Sequence, residues 1–233
     1  MAGLTDADIR EIDRANAADT RAAVFIHGPG KTEGWDAWRP LFDDNGYVSV
    51  TAGWSADPTL VDTARTDPDA LAASMVQTVT EYYLELIGRL TYPPVVIGHG
   101  FGGLIAQRLA SEGVAAATVA IASWPIAGVP ASTLGTSEST FFATEDIATL
   151  DTATVDPTRT GRGPLLLVAG ADDSTIPAAA RDAAYALQSE NPDVTEYTVI
   201  PGRDHSLAFG DGWREVADTV LVFAQNYAAP KQH

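Results

Sequence analysis

Residues Val95-Val96-Ile97-Gly98-His99-Gly100-Phe101-Gly102-Gly103-Leu104 constrain this chain more than any other stretch. A short β-branched run leads into four glycines within six positions, then into an amphipathic segment carrying Leu104, Ile105, Arg108 and Leu109. The pattern predicts a strand, a very tight turn and a helix. Only glycine accepts both the positive-φ backbone and the close chain approach that so short a reversal demands. A buried strand feeding directly into a helix is the unit of α/β architectures.

The rest of the chain repeats that unit. Thr5 to Asp19 is polar and helix-permissive, so residues 1–21 read as an N-terminal helix or arm. Ala22 to Ile26 is continuously apolar, as expected of a strand covered on both faces, and ends in the turn His27-Gly28-Pro29-Gly30. Trp35 to Phe42 reads as a short helix closed by Asn45-Gly46, and Tyr47 to Thr51 as a second strand. Ala52 to Pro68, with three aspartates and two prolines, reads as a loop. Asp69 is placed to cap a long helix through Leu90, with Leu71, Met75, Val79, Tyr82 and Leu86 as its buried stripe. Pro94 to Gly98 is the strand before the glycine turn and Phe101 to Ser111 the helix after it. Ala117 to Ala122, Leu165 to Ala169 and Val194 to Ile200 are further strands. Helices follow from Pro177 to about Ser189 and from Gly212 to Tyr227. Strand and helix alternate six times, which predicts a mainly parallel, doubly wound sheet of about six to eight strands with helices on both faces. Residues 22–233 read as one domain. Within it, residues 124–164 are rich in Ser, Thr, Gly and Pro, with one weak helical segment near Glu145 to Leu150.

Composition narrows the partners. Fourteen basic against 31 acidic residues leave a net charge of −17. Such a surface repels phosphate backbones and anionic lipid, so neither nucleic acid nor a membrane is expected as a partner, and a small molecule is. There is no cysteine, hence no disulfide, thiol nucleophile or cysteine metal site. The four histidines are too scattered for a metal cluster, and no cofactor is expected. The N-terminus lacks a basic segment followed by an apolar run, which points to the cytoplasm. Oligomeric state is not legible.

In doubly wound sheets, ligands gather beyond the carboxyl ends of the strands. Four such ends are chemically conspicuous: His27-Gly28, Gly98-His99-Gly100, Asp172-Asp173 and His205. The frame Gly98-x-Gly100-x-Gly102 has the spacing of the G-x-S-x-G nucleophile elbow, with glycine where the serine stands. The order elbow, acid, histidine is that of a hydrolase triad. Asp173 competes with a plain role as turn former before Pro177, and Asp172 is the alternate acid. His99 reads as a packed turn histidine and His27 as a brace for the adjoining loop, while His233 reads as a solvated terminus. Trp54 and Trp124 follow strand ends and are candidate pocket walls.

Together, Val24 to Gly28, Val96 to Gln107, Pro164 to Asp173 with Pro177, Asp204 to Leu207 and Gly212 to Asp218 resemble the α/β-hydrolase superfamily, in its small actinobacterial-type esterase and lipase-like group. The resemblance covers nearly the whole chain from about residue 22. It implies an α/β-hydrolase fold, with His205 as general base and Asp173 as the acid that orients it. It also implies Gly100 at the nucleophile position, Phe101 as one oxyanion donor, and 124–164 as a reduced cap. The second oxyanion donor falls at Pro29, which has no N–H, leaving Gly30 to replace it. One lost donor costs an acyl-transfer enzyme about 10²–10³ in rate. Three readings follow. The chain is a serine-less enzyme using His205 and Asp173 on a small carbonyl-containing metabolite, by proton abstraction, elimination, cyclisation or direct water attack. Or it is a serine esterase whose nucleophile has been replaced by glycine, in nature or by design. Or it is a pseudo-hydrolase that only binds a ligand.

Overall fold

A computed structural model of the protein describes residues 3–28, 33–53, 68–133 and 155–231. Among them, six parallel strands form one sheet in the order β2-β1-β3-β4-β5-β6. They are β1 (Ala22–Ile26), β2 (Val48–Val50), β3 (Val95–His99), β4 (Ala117–Ile121), β5 (Leu165–Gly170) and β6 (Thr195–Ile200). Strands β1 to β5 are buried along their whole length apart from the tip of β3, and each alternates its side chains between two apolar layers. Val24, Ile26 and Val96 face one layer, whereas Phe25, Ile97, Val119 and Val168 face the other.

Among the described residues, six α-helices accompany the sheet: α1 (Asp6–Ala17), α2 (Trp38–Asp44), α3 (Pro68–Gly88), α4 (Phe101–Ser111), α5 (Ala178–Ser189) and α6 (Trp213–Ala228). The first layer is filled from α1, α3, α4 and α5 by Ile12, Met75, Val79, Leu86, Leu104, Leu109 and Ala180. The second is filled from α2 and α6 by Trp38, Phe42, Val216, Val220 and Phe223. The N-terminal segment is a helix started by a capping box. The Thr5 hydroxyl accepts from the Asp8 N–H, and the Asp8 carboxylate accepts from the Thr5 N–H. Ile12 and Ala15 of α1 join the same buried layer.

Several expected boundaries move. The helix expected over Trp35 to Phe42 is a 3₁₀ turn, Glu33–Trp35, followed by α2 from Trp38. A continuous helix from Trp35 would set the Pro40 ring against the Asp36 carbonyl, whereas a start at Trp38 leaves Pro40 in the first turn, where no N–H is needed. Helix α3 begins at Pro68, so Asp69 lies inside its first turn instead of capping it. The second strand is trimmed to Val48–Val50. Most of the Ala52 to Pro68 loop, and the weak helix expected near Glu145 to Leu150, lie outside the described residues. The described parts of 124–164 contain one 3₁₀ turn, Ala131–Thr133. Among the described residues, no helix is long and apolar enough to cross a membrane.

Candidate active site

The carboxyl ends of β1, β3, β4, β5 and β6 converge on the glycine turn. Gly100 stands between β3 and α4 with φ 57° and ψ −117°, a backbone that glycine adopts at least cost. Its N–H donates to the Ile121 carbonyl at 3.0 Å, and its carbonyl accepts from Gly103, Leu104 and Trp124. The flanking glycines are there for space. A Cβ on Gly98 would collide with the Gly102 carbonyl, one on Gly102 with the Ile26 carbonyl, and one on Gly103 would stand 2.9 Å from Ser123 Cβ. Strand and helix therefore pack backbone against backbone.

Asp173 lies three residues beyond β5. Its side chain is fully buried, and Oδ1 accepts the N–H groups of Thr175 at 2.8 Å and Ile176 at 2.9 Å. Oδ2 accepts from His205 Nδ1 at 3.0 Å. Burial pushes this carboxyl up, but the hydrogen bonds from His205, Ile176 and Thr175 and the adjacent imidazole outweigh it and hold Asp173 below its ordinary value. Because a carboxylate only accepts, Nδ1 of His205 carries a proton, and in the neutral ring Nε2 is then the nitrogen with the lone pair. The His205 side chain keeps 27% of its surface, enough to meet a ligand. Nε2 lies 3.6 Å from the point where a Cβ on Gly100 would stand. Asp172 is exposed, and its N–H binds the Arg203 carbonyl, so the structure pairs His205 with Asp173 and not with the alternate acid.

The other candidates fall into place around this pair. His99 ends β3 and donates from Nε2 to the His205 carbonyl at 2.7 Å, with the two rings 5.0 Å apart. His27 is buried and donates from Nδ1 to the Gly28 carbonyl; burial lowers its pKa, which favours a neutral ring. Phe101 is the first residue of α4, so its N–H belongs to the positive end of that helix. Trp124 reaches the turn itself, with its indole Nε1 3.8 Å from the same Cβ position over Gly100. Pro29, Gly30, Trp54 and His233 lie outside the described residues. Among the described residues, no group of three or more His, Asp or Glu is placed to hold a metal ion.

Two parts of the site were not read from the sequence. Phe209 packs edge-on against His99 and Trp35, each at 4.9 Å between ring centres. A relay of amides and hydroxyls stands behind Trp124. Gln188 Nε2 donates to Gln107 Oε1 at 3.0 Å, Gln107 Nε2 to Ser123 Oγ at 2.8 Å, and Ser123 Oγ to the Trp124 carbonyl at 2.9 Å. The available signal was Gln107 itself, an amide that follows the apolar run Leu104-Ile105-Ala106.

A model of the alpha/beta hydrolase family matches residues 23–149, which run from β1 through the glycine turn and beyond β4. The chain belongs to the alpha/beta hydrolase family. Solved structures of a hydrolase, a lipase and an esterase superpose over most of its length. A pyrethroid hydrolase matches with a TM-score of 0.63 at 16% identity, covering 89% of this chain and 98% of that one. A monoacylglycerol lipase from Paleococcus ferrophilus matches with a TM-score of 0.59 at 14% identity, covering 90% of this chain and 98% of that one. A thermophilic esterase from the planctomycete Thermogutta terrifontis matches with a TM-score of 0.57 at 16% identity, covering 89% of this chain and 82% of that one. At such identities the likeness is one of α/β-hydrolase fold. No curated protein sequence gives a significant match.

Proposed function

We propose that this chain is an enzyme in which His205, oriented by Asp173, acts as a general base on a small carbonyl-containing substrate, with no acyl-enzyme intermediate. The observation that carries the reading is the paired geometry of His205. Nδ1 is tied to a fully buried carboxylate at 3.0 Å, while Nε2 faces the place over Gly100 where a serine side chain would stand. Gly100 has no hydroxyl to acylate, so the proton that Nε2 accepts comes from a water or from the substrate. In direct hydrolysis, the water oxygen bonds to the carbonyl carbon as its proton passes to Nε2. The carbonyl electron pair moves onto oxygen near the first turn of α4, and its return expels the leaving group, which takes the proton from the imidazolium. In proton abstraction, Nε2 takes the proton from the carbon beside the carbonyl, giving an enolate. Asp173 stabilises the imidazolium in both. Hydrolases, lipases and esterases among the structural neighbours support a carbonyl substrate, and the net charge of −17 favours a neutral one.

The test is turnover of a panel of p-nitrophenyl esters and lactones by the protein and its His205→Ala variant. A loss of at least about a hundredfold is expected; an unchanged rate overturns the reading.

One observation favours a second reading, an esterase whose nucleophile was replaced. Gly100 retains a positive-φ turn, and among the described residues nothing beyond its chain neighbours approaches its Cβ position closer than 3.6 Å. Gly100→Ser would then place a hydroxyl within reach of Nε2, at about 1–3 kcal/mol of backbone strain. On this second reading the variant hydrolyses p-nitrophenyl esters with a burst and is labelled by a fluorophosphonate. A folded but unlabelled variant excludes it.

A further inference from the structure

Among the described residues, β6 is the last strand of the sheet, with β5 on one side and no strand on the other. The Val194 and Ile200 carbonyls accept from the Leu165 and Ala171 N–H groups, both at 2.9 Å. Backbone groups of successive residues point to opposite sides of a strand, so Glu196 and Thr198 also bond toward β5. The N–H and C=O groups of Thr195, Tyr197 and Val199 point away from it. Such a row is a template for a further strand, and sheet edges are ordinarily protected by lysine, proline or a bulge. Thr195–Ile200 contains neither lysine nor proline, and its pairing with β5 runs without a break.

Exposed apolar side chains gather at the same edge. Among the described residues five large apolar side chains are exposed, and four of them are Val194, Val199, Val222 and Tyr227, with Val199 at 41% and Val222 at 56%. Val222 of α6 lines a groove of about 420 Å³ together with Glu196 and Thr198 of β6. Tyr227 donates to Glu196 at 2.7 Å, which places it along the same edge. On the other face of β6 the Tyr197 ring packs on Tyr185 of α5, 5.0 Å between ring centres. The acids around this edge are already engaged: Glu196 by Tyr227, Asp182 by the Tyr197 hydroxyl at 3.2 Å, and Asp218 by Arg214 at 2.9 Å. An apolar strip with its charges engaged, on a chain of net charge −17, marks a protein contact.

We propose that β6 pairs antiparallel with β6 of a second copy of this chain, joining the two sheets into one across a two-fold axis. The occupant is a second copy because the strand is complementary to itself. A symmetric antiparallel pair sets outward-facing residues opposite one another. Centred on Tyr197, it places Thr195 opposite Val199 of the second copy and Tyr197 opposite its own counterpart, so every outward N–H and C=O of these residues is bonded. Glu196 then falls opposite Thr198. Centring on Glu196 would instead set two carboxylates face to face. Centring on Thr198 would set Thr195 opposite Pro201, which has no N–H. The Tyr197 register also covers Val199 and lays the two Tyr185–Tyr197 pairs side by side.

The test is sedimentation velocity of the purified protein from about 1 µM to about 200 µM, where a dimer fraction rising with concentration is expected. Both copies carry a net charge of −17, so added NaCl is expected to tighten the dimer. Val199→Pro loses an N–H that faces away from β5, which spares the ladder, and is expected to weaken the dimer at least about tenfold. Cysteine, which the chain lacks, reads the register. Across a hydrogen-bonded antiparallel pair the Cα atoms lie about 5.5 Å apart, within disulfide reach. Thr195 and its counterpart are offset along the strands by about 13 Å. Tyr197→Cys is therefore expected to give a disulfide-linked dimer on mild oxidation, and Thr195→Cys is not. Should Val199→Pro or Tyr197→Cys misfold, Thr198→Glu, which sets a second carboxylate opposite Glu196, is expected to weaken the dimer in its place. A protein that stays monomeric to about 200 µM, as an edge kept for a strand of another protein would, overturns the proposal. So does a dimer that Val199→Pro or Thr198→Glu leaves unchanged, one that NaCl weakens, or one in which Thr195→Cys cross-links as readily as Tyr197→Cys.

Discussion

Asp173 and His205 are 32 residues apart in the chain and 3.0 Å apart in space. Asp173 titrates below its ordinary value in the folded protein. In acid the unfolded chain therefore binds the proton first, and the stability from this carboxylate is present above the unfolded value and lost as pH falls through the folded one. Asp173→Asn removes that contribution. The stability gap between protein and variant, read by urea unfolding, is expected to be constant above about pH 5 and to shrink as pH falls below about 4. A gap that widens in acid would contradict the assignment. Activity should fall more steeply than stability. An amide can donate to Nδ1 and hold the wrong tautomer, and in a serine-protease triad the same exchange costs on the order of 10⁴ in rate. His99 adds a restraint, since its bond to the His205 carbonyl ties the tip of β3 to the loop that carries His205.

The element that organises the site is the joint of β3, Gly100 and α4. Its glycines serve different ends: Gly100 supplies the positive φ, while Gly98 and Gly102 let carbonyls pass where a Cβ would collide. Gly102→Ala is expected to destabilise the protein by at least about 3 kcal/mol or prevent folding, because the Ile26 carbonyl it meets belongs to a central strand that cannot shift. Gly88→Ala, at the end of α3 with nothing within 4 Å of its Cβ, is expected to do the reverse and add up to about 1 kcal/mol. Urea unfolding of the two variants separates a packing glycine from a dispensable one.

At the scale of the molecule, charge works against compactness. The described surface has ion pairs such as Arg89–Glu85 and Arg214–Asp218, but both partners of each are about half exposed, and such helix pairs contribute roughly 0.3–0.5 kcal/mol each. Against them stands a net charge of −17. Self-repulsion outweighs the pairs, so screening should help. Between 10 and 300 mM NaCl, over which the Debye length falls from about 30 Å to below 8 Å, the Tm is expected to rise by several degrees. A falling Tm would show that the pairs dominate.

Much of this was legible in the chain itself. Apolar runs of five or six residues marked the strands, their alternation with amphipathic segments marked a parallel sheet, and the order of Gly100, Asp173 and His205 marked a candidate site, because each is a local property of neighbouring residues. The limits of legibility were also physical. Pro40 broke a helix that periodicity alone had joined. Asp172 and Asp173 were equivalent until burial and the Thr175 and Ile176 N–H groups selected one. Trp124 was one aromatic among several until the positive φ of Ala122 turned it back upon Gly100. Local pattern determined which elements form and in what order. Only the packed sheet, which brings strand ends tens of residues apart into contact, decided which carboxylate meets His205 and which indole stands near Gly100.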